Sequence, residues 1–278
     1  FLSSGRRNAM TGMNDKQVAL VTGASSGIGA DIARELAARG YQLVLVARRE
    51  ARLLQLAEEL SQRHGTRCQV LACDLSDREA LNGLMARADR WLDSEGLALT
   101  VLVNNAGTGV WANFSEQKRE VSQRDIDINV TALTTLCHDF IDRAMAHGQP
   151  AHILNIASVA AFLPTPRFAV YSGTKAYVRR LSEILAYELK GSNVQVTCSC
   201  PGGTLTEFME HAGQELKGNT GMMASAEVAR QSVHAMLAGK TVFVPGLLNR
   251  LSLLGRFLPS KLQPGLVERS MLITVADK

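Results

Sequence analysis

The sequence predicts a doubly wound α/β fold, a seven-stranded parallel sheet flanked by helices on both faces within a single domain. Two observations carry this. Short apolar runs alternate with helix-period segments almost without interruption. The runs are rich in Val, Ile and Leu on both alternating faces, as strands covered by helices on each side require. Alternation of this kind closes through right-handed crossovers.

The expected strands are Val18–Val21, Leu43–Val46, Gln69–Ala72, Leu99–Val103, His152–Ile156, Val194–Cys198 and Thr241–Val244. Between them lie amphipathic segments at Ile28–Arg39, Ala51–His64, Asp77–Ser94, Val170–Lys190 and Ala226–Ala238, with a long one inside Ser115–His147. Ser76-Asp77-Arg78-Glu79 reads as a capping box, and Ser225 as the cap of the helix after it. The catalytic unit is expected over 15–246, with an amphipathic extension over 247–278. Phe1–Asn14 reads as a leader or remnant ahead of the fold.

Composition removes several classes. A chain of 278 residues with 46% hydrophobic content supports one sizeable core. The net charge of +4, without a basic stripe carrying interleaved aromatics, does not point to nucleic acid. No apolar run reaches the ~18–20 residues of a spanning helix. The five cysteines include no C-x-x-C pair, and Cys198 and Cys200 would share one strand face. Reduced thiols in a cytoplasmic protein are the expectation, with no metal site.

After the first strand comes Thr22-Gly23-Ala24-Ser25-Ser26-Gly27-Ile28-Gly29, leading directly into a helix. Residues without a Cβ let backbone N–H groups approach a diphosphate at the helix N-terminus, the Rossmann-type arrangement. Gly23, Ser25, Ser26, Gly27, Ile28 and Gly29 are therefore candidate cofactor ligands. At the end of the second strand, Arg48 and Arg49 stand where an acid would hold a ribose 2′-hydroxyl. Guanidinium groups suit a 2′-phosphate, so the expected cofactor is NADP(H).

Tyr171 and Lys175 are four apart on an expected helix and project from one face. Ser158 closes the fifth strand. Together with the glycine turn, Asn104-Asn105-Ala106-Gly107, Tyr171-Ser172-Gly173-Thr174-Lys175 and Pro201-Gly202, they make the chain resemble the short-chain dehydrogenases/reductases over about Gln17 to Val244. That resemblance implies a single-domain NADP(H)-dependent carbonyl reductase or alcohol dehydrogenase. It assigns Tyr171 as general acid/base, Lys175 as its activator and a ligand of the nicotinamide ribose, and Ser158 as donor to the substrate oxygen. Asn129 matches a helix asparagine that orders a relay water. Asp74 and Leu75 match positions at the adenine, and Asn105, Ala106 and Gly107 positions beside the adenosine ribose. Pro201, Gly202, Gly203 and Thr204 match the bracket around the carboxamide, although many relatives carry a bulkier residue at Gly203. A lysine ammonium and a cationic nicotinamide would both lower the tyrosine from its usual ~10. Relatives also pair the helices after the fourth and fifth strands, which implies a homodimer or homotetramer.

The substrate side is less explicit. Phe162, Leu163, Phe208, Met209, Met222 and Met223, with Trp111 and Phe114, suit an apolar ketone or 3-oxoacyl compound; they would equally pack loops against the domain. In the extension, Leu247, Leu248, Leu251, Leu254 and Phe257 with Arg250 and Arg256 make a basic amphipathic segment. It has three possible homes: its own domain, a second subunit or a membrane surface. A non-catalytic NADP(H)-binding redox sensor is the alternative function, against which the complete Ser158–Tyr171–Lys175 set argues. An epimerase or dehydratase of the extended relatives would need a larger substrate domain after the sixth strand than the roughly eighty residues there.

Overall fold

The computed structural model describes residues 16–214, Lys217 and 221–274. Phe1–Asn14 and the end of the extension lie outside the described residues. The elements in chain order are β1 (Gln17–Thr22), α1 (Gly27–Ala37), β2 (Gln42–Ala47), α2 (Glu50–His64), β3 (Cys68–Ala72), α3 (Arg78–Asn82), α4 (Leu84–Glu95) and β4 (Ala98–Asn104). Then follow α5 (Arg119–Ile126), a π-turn (Asp127–Ala132), α6 (Leu133–His147), β5 (Ala151–Ile156), α7 (Ala169–Glu188) and β6 (Val194–Ser199). The chain continues through β7 (Thr204–Leu205), α8 (Phe208–His211), β8 (Met223–Ala224), α9 (Ser225–Leu237), β9 (Val242–Phe243), α10 (Leu247–Ser252) and α11 (Gln263–Thr274).

The main sheet has seven parallel strands in the order β3-β2-β1-β4-β5-β6-β9. Strand alternation divides the core into two layers. Val18 and Leu20 of β1 face one layer with Leu84, Leu136 and Phe140 of α4 and α6. Ala19 and Val21 face the other with Ile32, Leu53 and Val233 of α1, α2 and α9. Strand order reverses between β1 and β4, so the crevice for a ligand opens at their carboxyl ends.

The structure corrects several local expectations. The helix expected over Asp77–Ser94 breaks at Gly83, which caps α3 and starts α4. Its N-cap is Asp77, whose carboxylate accepts from Glu79 N and Ala80 N, while Ser76 Oγ donates to Asp74 at 2.7 Å. With Asp77 at the N-cap, Ser76 stands one residue outside the helix, and the single oxygen Asp77 Oδ1 serves two of the orphan donors. Ser225 does not cap α9 either; its hydroxyl donates to Asp31 Oδ2 on α1 at 2.5 Å. The long helix expected within Ser115–His147 is interrupted by the π-turn. Beyond the expected strands, β7 and β8 form a separate two-stranded sheet. All five cysteines are free, Cys198 and Cys200 lying with sulfurs 3.7 Å apart.

Candidate active site

The glycine turn between β1 and α1 is built from close approaches. Gly23 and Gly27 adopt φ of +66° and +54°, the left-handed region that glycine occupies without a Cβ penalty. A Cβ on Gly29 would run into the Gly23 carbonyl and Asn105 Nδ2. Asn105 fastens this turn to β4: its Nδ2 donates to Thr22 O at 3.0 Å and Gly23 O at 3.3 Å. Thr22 Oγ1 in return accepts from Asn105 N and Ala106 N at 3.0 and 3.1 Å. The result is a bare rim of backbone at a helix N-terminus, a shape and polarity that fit a dinucleotide diphosphate.

Arg49 reaches over the rim, donating to Ser26 Oγ at 2.7 Å and Ser25 Oγ at 3.2 Å. Its other nitrogen pairs with Glu207 at 2.8 Å, and Arg52 pairs with the same carboxylate at 2.5 Å. The two guanidinium groups, Arg52 before Arg49, hold the Glu207 carboxyl down at about 2. Arg48 is exposed. Asp74 accepts from Ser76 and pairs with Arg124 at 2.9 Å. The donor set of serine hydroxyls, backbone N–H groups and arginines suits the phosphates of a nucleotide.

The second half of the crevice lies at the ends of β5 and β6. Ser158 follows β5, and its Oγ accepts from Ala160 N at 3.1 Å. Tyr171 and Lys175 project from one face of α7, with Lys175 Nζ 5.6 Å from the phenol ring centroid. Lys175 is buried and donates to Ile156 O at 2.9 Å. The π-turn presents Asn129 inward, where its side chain accepts from Thr108 N (2.9 Å) and donates to Thr108 O (2.8 Å) and Thr174 Oγ1 (3.0 Å). A Cβ on Gly107 would touch both Lys175 Nζ (3.1 Å) and Asn129 Oδ1 (3.2 Å), so the two polar groups converge on that glycine. A widened helical turn is a common device for aiming a side chain at a site.

Tyr171 sits in an apolar cage. Phe168 and Phe208 lie 5.0 and 5.3 Å from its ring centroid, and a Cβ on Gly109 would strike the ring at 2.6 Å. Trp111 closes the cage, 5.1 Å edge-on from Phe168. Burial pushes the phenol up to about 12, against a smaller opposing effect of its hydrogen bond with Ser158. Burial likewise pushes the Lys175 ammonium down to about 8. The expected lowering of the phenol is therefore not a property of the chain alone: desolvation outweighs the Ser158 hydrogen bond.

Of the apolar residues expected around a substrate, Phe208 and Trp111 stand at the tyrosine, and Met222 packs beside Gly203. Phe162 lies under the Arg179 guanidinium instead, and Phe114 is exposed. Phe168, Thr206 and Glu207 join the site without a motif of their own in the sequence. Phe168 lies three residues ahead of Tyr171, a spacing that brings two rings together. Thr206 sits on the glycine turn, 3.0 Å from where a Gly27 Cβ would be.

Against known proteins, the family model for short chain dehydrogenases matches residues 17–217. The chain belongs to the short-chain dehydrogenase family. It is an oxidoreductase acting on CH–OH or C=O groups. Sulfoacetaldehyde reductase 2 of Chromohalobacter salexigens is 35% identical over 195 residues, 69% of this chain and 74% of that protein. The very-long-chain 3-oxoacyl-CoA reductase of Pyricularia oryzae is 36% identical over 186 residues, 64% of this chain but 53% of that protein, so the match spans about half of that relative. The solved structure of a short-chain dehydrogenase from Sphingobium yanoikuyae in complex with NADPH has a TM-score of 0.78 at 34% identity, covering 86% of this chain and 92% of that one.

Proposed function

We propose that this short-chain dehydrogenase is an NADP(H)-dependent carbonyl reductase whose general acid is Tyr171 and whose substrate is an apolar ketone or 3-oxoacyl-type compound. The observation that carries the reading is the convergence of Ser158 and Lys175 on Tyr171, whose ring is packed by Phe168 and Phe208, at the end of β5. A nicotinamide held in the crevice would supply the hydride to the carbonyl carbon. Ser158 and Tyr171 hydrogen-bond the carbonyl oxygen, and the Tyr171 phenol gives its proton to that oxygen as charge develops there. A phenol held near 12 is fully protonated at neutral pH, the form a reductase needs. Lys175 anchors the nicotinamide ribose and, with Asn129, connects the phenol to solvent protons. In alcohol oxidation the proton travels back by the same route.

The reading of NADP(H) over NAD(H) rests on Arg48 and Arg49 and on the absence of a carboxylate at the end of β2. The apolar substrate class rests on Phe168, Phe208 and Trp111 around the phenol. We read the chain as a catalytic unit over 15–246 carrying an extension over 247–278, with its free thiols suiting the reducing cytoplasm. The testing experiment is an NADPH-oxidation screen over ketones that includes 3-oxoacyl thioesters, steroids, quinones and dicarbonyls. Turnover of at least one apolar ketone, lost in Tyr171→Phe, supports the reading. Turnover that survives that substitution overturns it.

A further inference from the structure

The segment after β9 turns its apolar side chains outward. Leu247, Leu248 and Phe257 are 69%, 70% and 72% exposed, and Leu251, Leu254 and Leu262 are exposed beside them. Only Leu253 of α10 and the turn after it is buried. Single exposed leucines are ordinary on a protein surface, but a contiguous set of this size marks an interaction surface. Burial against its own domain is thus not the home of this face.

The charge on the segment selects the partner. Residues 246–274 carry Arg250, Arg256, Lys261 and Arg269 against one acid, Glu268. Glu268 itself faces Arg167 at 3.8 Å. The Arg256 guanidinium lies 4.8 Å over the Phe257 ring, which puts a cation and an aromatic at one exposed point. A two-fold contact with a second copy would set this basic face against its own like charge. An anionic lipid surface supplies both an apolar boundary for the leucines and a counter-charge for the cations. Among the described residues no helix is long and apolar enough to cross a membrane, so the segment would lie along the surface.

Its position adds a consequence. Asn249 packs against Gly202 and donates to Met223 Sδ at 3.5 Å, and a Cβ on Gly255 would lie 3.9 Å from Leu163. These contacts seat the segment on the two loops that flank Tyr171. We propose that the exposed face of residues 247–266 docks this protein on an anionic membrane surface, with the mouth of the active-site crevice beside the lipid.

The test is co-sedimentation of the full chain with vesicles of phosphatidylcholine alone and of phosphatidylcholine with phosphatidylglycerol at about 2:1. The expected result is binding at least tenfold tighter to the mixed vesicles, weakening as salt is raised. Leu248→Ser combined with Leu251→Ser and Phe257→Ser should reduce that binding at least tenfold, and so should Arg256→Glu with Lys261→Glu. These side chains are exposed, so both variants should keep the wild-type melting temperature, which is checked in parallel. No binding to mixed vesicles overturns the proposal, as does undiminished binding by the triple serine variant. A triple variant that instead halves the mass by light scattering also overturns it, because a second copy then covers the face.

Discussion

Lys175 stands where its charge costs the fold stability, and Lys175→Met should make the protein more stable at neutral pH while removing its activity. The side chain is 4% exposed, and burial takes the ammonium from its ordinary 10.5 down to about 8. A depression of that size corresponds to roughly 3 kcal/mol of unfavourable interaction for the charged form. Methionine also deletes the donor to Ile156 O, leaving a buried carbonyl unpaired at about 1–2 kcal/mol. The balance is a gain on the order of 1–2 kcal/mol at pH 7, a few degrees in Tm for a chain of this size. The sign follows from proton linkage. Between about 8 and 10.5 the unfolded lysine stays protonated while the folded one is neutral, so the lysine's own contribution to stability rises with pH across that window. The variant lacks that rise, and its advantage should shrink between pH 7 and pH 9.5. Urea unfolding at the two pH values measures both quantities. The buried thiols of Cys68 and Cys137, pushed up from 9.0 to about 12, and above pH 10 the Tyr171 phenol act in the opposite direction, but equally in both proteins, so the gap between variant and wild type is the readout. A variant less stable than wild type at pH 7, or a stability gap independent of pH, would show that the buried Lys175 ammonium does not cost the fold stability.

Three further outcomes follow from the crevice and the helices. NADPH should bind at least tenfold more tightly than NADH, worth ~1.4 kcal/mol, and Arg49→Asp should narrow or reverse that ratio in a fluorescence titration; equal affinities in wild type would contradict it. Glu207 occupies Arg49 and Arg52 with a carboxyl held near 2, so it competes with a 2′-phosphate across the whole working pH range. Glu207→Gln should therefore tighten NADPH binding several-fold and leave NADH unchanged; weakened NADPH binding would show that the carboxylate supports the site. Tyr177, Ile184 and Tyr187 of α7 and Met145 of α6 are exposed, so we expect at least a dimer through these helices by light scattering. Tyr187→Glu should shift it toward monomer, and a monomeric wild type at micromolar concentration would reject the expectation.

The strand and helix order was legible because period-2 apolar runs and period-3.6 segments leave different traces in a sequence. The glycine turn and the Tyr171–Lys175 pair were legible because each depends on local spacing. What escaped depends on contacts between distant residues. Glu207 meets Arg49 across 158 positions, and Ser225 meets Asp31 across 194. The π-turn that aims Asn129 is a change in backbone hydrogen bonding, which side-chain periodicity does not record. The high value of Tyr171 arises from burial, to which Phe208 of α8 and Gly109, both distant in sequence, contribute beside the nearby Phe168.

The measurement closest to the central claim is turnover and NADPH affinity of Tyr171→Phe beside wild type, on the best ketone from the screen. A phenol that serves the transition state contributes little to nucleotide binding. Turnover should fall by orders of magnitude while the NADPH dissociation constant stays within about twofold. Turnover within tenfold of wild type would contradict it, because some other group would then deliver the proton.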